Sequence, residues 1–227
     1  MYGMYYNWDY LIYILPGFLL ALYAQSKIKT NFDKYSRITN REGLTGRSVA
    51  EMILKGHGIY DVRVDRVRGS LTDHYDPTQK VLRLSDPVYD STSIAALGIA
   101  AHECGHAIQH NESYAPLKFR NAIVPAANLG SNLSFLFILI GLFAFEPLMK
   151  LGIALFAITV LFQLMTLPVE YDASRRAKAI LADGVLSGEE MVGVERILSA
   201  AALTYVASLL TAIGTLLRFI SLGRRRD

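Results

Sequence analysis

Four stretches of this chain are apolar over about the length a helix needs to cross a hydrocarbon core, roughly 17 to 25 residues. They run from Tyr10 to Ala24, Ala122 to Phe145, Leu151 to Val169 and Leu198 to Leu222. Between the first and the second lies the one long polar region, Gln25 to Ser93. Within it, Ser48 to Lys55 carries apolar residues at helical spacing and runs into Gly56 and Gly58, a helix with a C-terminal stop. Val62-Arg63-Val64-Asp65 alternates, Val81 to Ser85 alternates more weakly, and Asp76-Pro77-Thr78 reads as a turn, so a small sheet is expected. Lys80 to Ser85 is the candidate exposed edge, able to hold an extended peptide by main-chain hydrogen bonds or to serve as an ordinary strand. The cap-rich cluster Asp90-Ser91-Thr92-Ser93 then opens Ile94 to Ala101, a small, apolar run suited to a buried helix.

A hydrophobic share of 52% over 227 residues is too high for one ordinary soluble domain and places the chain in a lipid bilayer. The first stretch is short, but Tyr2, Tyr5, Tyr6, Trp8, Tyr10 and Tyr13 supply an interfacial aromatic belt. No small-residue cleavage site follows it, so a retained anchor is expected rather than a removed signal peptide. Lys27, Lys29, Lys34, Arg37, Arg41 and Arg47 come directly after it, which puts the following segment in the cytoplasm. The tail Arg224-Arg225-Arg226 then ends outside if the fourth stretch crosses, against the same rule. A net charge of +3, spread over membrane flanks, gives no reason to expect nucleic acid as a partner. The single cysteine, Cys104, cannot form an internal disulfide and suits a reducing face.

The run His102-Glu103-Cys104-Gly105-His106 places two imidazoles at i and i+4 on one helix face, the spacing that chelates zinc. Glu103 projects beside such a metal, where it can take a proton from an attacking water and pass it to a leaving amine. The fold class expected is therefore an α+β membrane protein, mostly helical, with about four membrane helices and a small sheet next to an HExxH zincin helix.

A catalytic zinc takes three protein ligands. Gln109 and Glu112 stand where the metzincin pattern requires glycine and histidine, which excludes that class. His110 lies one turn beyond His106, and three ligands along one straight helix do not converge easily on a tetrahedral ion. Glu170 is the better candidate, because two crossings return the chain to the membrane level it left near Arg120. The alternative for Glu170 is an interfacial carboxylate neutralised by Arg175 or Arg176. Asp172 is a candidate to accept the free N–H of a ligand imidazole or to pair with Arg176 at i+4. His57, between two glycines at a helix end, is read as a cap or a solvent-facing residue. Tyr171, His74 and Tyr75 are candidates for assisting an oxyanion.

Ala100-Ala101-His102-Glu103-Cys104-Gly105-His106-Ala107-Ile108-Gln109-His110, with Pro168-Val169-Glu170-Tyr171-Asp172-Ala173-Ser174-Arg175-Arg176-Ala177, resembles the YugP-type neutral zinc metallopeptidases, bacterial membrane proteins. Asp73-His74-Tyr75-Asp76-Pro77 and Leu82-Arg83-Leu84-Ser85 share in the resemblance, which covers nearly the whole chain. It implies one zinc per chain on His102, His106 and Glu170, with Glu103 as catalytic base, in the manner of glutamate-liganded zincins. The chain is more distantly similar to HtpX-type membrane proteases, whose second motif has an aspartate four residues after the ligand glutamate. Here that residue is Ser174, so the aspartate's role is not carried over, and Asp172 is the candidate substitute.

The expected organisation is an N-terminal membrane anchor (1–25), a cytoplasmic α+β catalytic region with the HExxH helix (26–121), two membrane helices (122–169), a cytoplasmic helix bearing Glu170 (170–197), and a C-terminal membrane helix with a basic tail (198–227). The function expected is a multi-pass metalloendopeptidase of the bacterial cell membrane, its site facing the cytoplasm. Peptides or membrane proteins are its expected substrates and membrane-protein quality control its role, with an oligomer or a membrane partner left open. The competing reading is a zinc-binding membrane scaffold, or a component of a larger membrane assembly, without proteolysis.

Overall fold

The computed structural model describes residues 9–224. Tyr2, Tyr5, Tyr6 and Trp8 of the expected aromatic belt, and Arg225 and Arg226 of the tail, lie outside the described residues. The chain is a mostly helical α+β membrane protein. Its elements are α1 (Asp9–Tyr35), α2 (Gly46–Gly56), β1 (Arg63–Val67), β2 (His74–Asp76), β3 (Val81–Ser85), α3 (Asp86–Tyr89), α4 (Ile94–Asn111), α5 (Ala115–Phe143), α6 (Glu146–Ala182) and α7 (Glu189–Arg224). α1, α5, α6 and α7 are long and apolar enough to cross a membrane.

Two compact units divide the described residues. One comprises the chain up to Ala24, Phe119–Leu167 and the part from Leu203 onward. Within it, large side chains such as Ile12 (70% exposed) and Phe143 (78%) lie bare, as they would against lipid tails. Glycines let its helices touch: a Cβ on Gly214 would sit 1.9 Å from the Tyr13 carbonyl oxygen, and one on Gly141 2.3 Å from the Met149 nitrogen.

The other unit comprises Gln25–Lys118 and Pro168–Ala202. Its core joins Val49, Ile53 and Leu54 of α2 and Leu82 and Leu84 of β3. Leu97, Ala101 and Ile108 of α4, Leu181 of α6 and Val194 of α7 complete it. α2 begins with a reciprocal capping box between Thr45 and Ser48. His57 is its C-cap residue, with Nδ1 2.9 Å from the Ile53 carbonyl, as expected.

The sheet has the order β1-β3-β2, with β1 parallel and β2 antiparallel to β3. β3 is therefore the central strand, and the expectation that Lys80 to Ser85 forms an exposed edge is corrected. Val81, Leu82, Leu84 and Ser85 are all fully buried. Weak alternation in that segment marks a strand covered on both faces. The edges are β1 and the three-residue β2, joined to β3 by a turn in which Asp76 Oδ1 accepts from the Thr78 and Gln79 amides.

Ser93 caps α4 by accepting from the Ala96 amide at 3.2 Å. The helix closes in a Schellman arrangement: Tyr114 N–H reaches the Gln109 carbonyl at 2.9 Å and Ser113 N–H the His110 carbonyl at 3.1 Å. Ser113 takes the left-handed conformation there, at φ 58°. α4 thus stops about one turn after His106, and a new helix starts at Ala115.

Candidate metal centre

His102 and His106 project from the same face of α4, as the i, i+4 spacing requires, with ring centroids 4.8 Å apart and planes at 83°. Glu170, two residues beyond Pro168 on α6, meets them from a distant part of the chain. Its Oε2 lies 3.3 Å from His102 Nε2 and 3.6 Å from His106 Nε2. All three candidate donor atoms fall within 4.8 Å of one another. Two ligand atoms at about 2.0–2.1 Å from one tetrahedral ion stand about 3.3–3.4 Å apart, so the spacing fits a single zinc before any adjustment. Two imidazoles and a carboxylate are also a usual ligand set for that ion.

The close crossing of α4 and α6 depends on Gly105. A Cβ there would lie 2.8 Å from the Ala173 carbonyl oxygen and 3.0 Å from the Ala173 Cα. The residue between the two histidines' turns must therefore lack a side chain for Glu170 to reach them.

Glu103 is 9% exposed. Burial pushes its carboxyl above the ordinary range; His102 and His106 oppose that shift, while Glu170 and Asp73 add to it. Burial alone would lower the pKa of His106, but the carboxylates of Glu170 and Glu103, with Gln109, raise it overall. Cys104 is fully buried, its thiol pushed well up by that burial, and it donates to the Ala50 carbonyl at 3.6 Å. It packs in the core, away from the donor atoms of the centre.

The protein family described as "Putative neutral zinc metallopeptidase" matches residues 10–224. The chain belongs to this family. A relative from Bacillus subtilis (strain 168), named "Putative membrane protease YugP", is 51% identical over 203 residues, covering 88% of this chain and 90% of its own length. No solved structure matches. The metallopeptidase family accounts for the zinc and the protease expected from the motif, and this member carries the motif on α4.

Of the other residues singled out in the sequence, Asp172 does not touch an imidazole. It pairs with Arg176, Oδ2 to Nε at 2.6 Å, and with Arg175, and it accepts from Gln109 Nε2 at 2.9 Å. Gln109 in turn faces His106 Nδ1 at 3.1 Å, so Asp172 reaches the histidine through one intermediary. Ser174 Oγ stands 3.1 Å from His102 Nδ1, in the place a carboxylate would occupy. Its signal in the sequence is its position four residues after Glu170, whereas Gln109 is marked only as an amide on a helix face otherwise buried.

Tyr75 OH bonds His110 Nδ1 at 2.8 Å, and the pair borders a cavity of about 210 Å³ also lined by Ile59, Asp61, Lys80, Ala107 and Asn111. Burial, then Asp61 and Asp76, push the Tyr75 phenol up to about 12. His74 is held by both ring nitrogens, Nδ1 2.8 Å from the Thr72 carbonyl and Nε2 3.3 Å from Arg83 Nη1. Tyr171 is half-exposed.

Proposed function

We propose that the chain is a multi-pass membrane zinc metalloendopeptidase. His102, His106 and Glu170 hold the ion and Glu103 acts as general base. The observation that carries this reading is the meeting of both Nε2 atoms with Glu170 Oε2, beside a buried Glu103. The chemistry a bound zinc supplies is Lewis acidity, which makes a water acidic near neutral pH and polarises the scissile carbonyl. Glu103 takes the proton from the attacking water and delivers it to the departing nitrogen. A structural zinc site has no use for such a carboxylate, which favours the enzyme over a scaffold.

The edge strand β2 pairs with β3 through His74–Arg83, Tyr75–Leu82 and Asp76–Val81 and has no second strand partner among the described residues, which makes it the candidate edge for an extended peptide. The basic residues from Lys27 to Arg47 support a site facing the bacterial cytoplasm. Membrane proteins under quality control are the substrates that the membrane setting favours.

The test compares Glu103→Gln with His102→Ala in the full chain, reading bound zinc and cleavage of a quenched fluorescent peptide library. Glu103→Gln is expected to keep zinc and lose cleavage, and His102→Ala to lose both, as does the unsubstituted chain treated with a chelator. Undiminished cleavage in Glu103→Gln would refute the mechanism.

A further inference from the structure

Resting on the zinc reading of His106, we propose that Gln109 is a positioning residue. Its amide holds the His106 ring in the one tautomer that leaves Nε2 free for the metal. Gln109 is fully buried, so no water competes for its three hydrogen bonds. Nε2 donates to the Val169 carbonyl at 2.8 Å and to Asp172 Oδ2 at 2.9 Å. Both partners are acceptors only, which decides the orientation of the amide: turned over, Oε1 would face a carbonyl and a carboxylate.

With Nε2 committed to those two acceptors, Oε1 is the atom that faces His106 Nδ1, at 3.1 Å. An amide oxygen cannot donate, so the proton belongs on Nδ1 and the lone pair on Nε2. That lone pair points toward Glu170 Oε2, itself an acceptor, 3.6 Å away. Two acceptors facing each other in a buried site need a proton or a metal ion between them, and a metal that displaces the proton finds Nε2 already aimed at it. Gln109 therefore prepares His106 to bind a metal.

The amide is anchored in turn. Asp172 is tied by Arg175 and by Arg176 Nε, and Arg176 Nη1 reaches Glu112 Oε2 at 2.7 Å, at the end of α4. This frame joins the helix carrying both histidines to the helix carrying Glu170. Ser174 has no such authority over His102, because a hydroxyl can donate or accept.

Zinc affinity measured by chelator competition on the full chain in detergent tests the assignment, with cobalt absorption reporting coordination. Gln109→Met keeps the volume and loses the amide, and is expected to weaken zinc binding by about 10- to 100-fold and to distort the cobalt spectrum.

A folded Gln109→Met with zinc affinity within about threefold of the parent, while His106→Ala loses zinc, overturns the positioning role and leaves the zinc reading intact. Should Gln109→Met fail to fold, Gln109→Leu, of similar volume and also without the amide, is read in its place by the same threefold criterion. Independently of any variant, 15N-histidine spectra of the zinc-loaded parent are expected to show a protonated Nδ1 on His106, and metal bonding through Nδ1 would overturn the proposal. If the parent binds no zinc and His106→Ala changes nothing, the zinc reading itself has failed.

Discussion

Gly105 and Ala173 meet backbone to backbone, with no room between them for a methyl group. Replacing Gly105 by alanine gains up to about 1 kcal/mol of helix propensity. It must also push the α6 main chain aside, and overpacking of this kind costs about 1–3 kcal/mol. The expected result is weaker zinc binding in Gly105→Ala and loss of zinc in Gly105→Leu, read by chelator competition. Parent-like affinity in Gly105→Leu would show that the helices do not need this approach.

Ser174 offers His102 a neutral partner at 3.1 Å. A carboxylate accepting from Nδ1–H makes an imidazole a stronger donor to its metal, so Ser174→Asp is expected to tighten zinc by about tenfold. Ser174→Ala should loosen it. Equal affinities in all three chains would mean that the hydroxyl plays no part in holding the ring.

Asp73 accepts from Ser85 N–H at 2.7 Å and Ser85 Oγ at 2.9 Å, yet burial pushes its carboxyl above the ordinary range, outweighing those bonds. A carboxyl raised in the folded state favours folding while it is protonated, and that contribution is lost as pH rises through the raised value. Asp73→Asn keeps an oxygen for the Ser85 amide and buries no charge. It is expected to unfold at a higher temperature than the parent at pH 8, with the difference shrinking as pH falls toward 4. A difference that grows toward acid pH contradicts this account.

The Tyr75 hydroxyl is committed to His110. Losing one oxyanion donor typically costs about 100- to 1,000-fold in kcat. Tyr75→Phe is expected instead to leave kcat within about threefold and zinc content unchanged, at a stability cost of about 1 kcal/mol. A hundredfold fall in kcat would show that the phenol turns to the substrate.

The local features were legible in the chain because their causes are local. The cap cluster ending at Ser93, the stop after Lys55 and the pairing of His102 with His106 on one face all follow from residues within a turn or two of each other. The four apolar stretches announce helices by length and composition alone, although α1 and α6 run on to Tyr35 and Ala182, well past their apolar portions. Glu170 could be named because two crossings return the chain to the level it left, but no spacing rule measures its distance to His102. β2 escaped notice because three residues cannot show a period, and β3 was misplaced at an edge because the order of strands is a matter of pairing.

What the sequence determined by itself, then, is the zinc-binding spacing, the apolar spans and the family, since each is written in near neighbours or in whole-chain similarity. Tertiary structure alone decided that Gln109, three residues past His106, faces an Asp172 that is 63 positions away. It also decided that Ser174 stands behind His102 and that Gly105 admits Ala173. Such contacts arise where two helices cross, and the crossing is set by the packing of both surfaces at once.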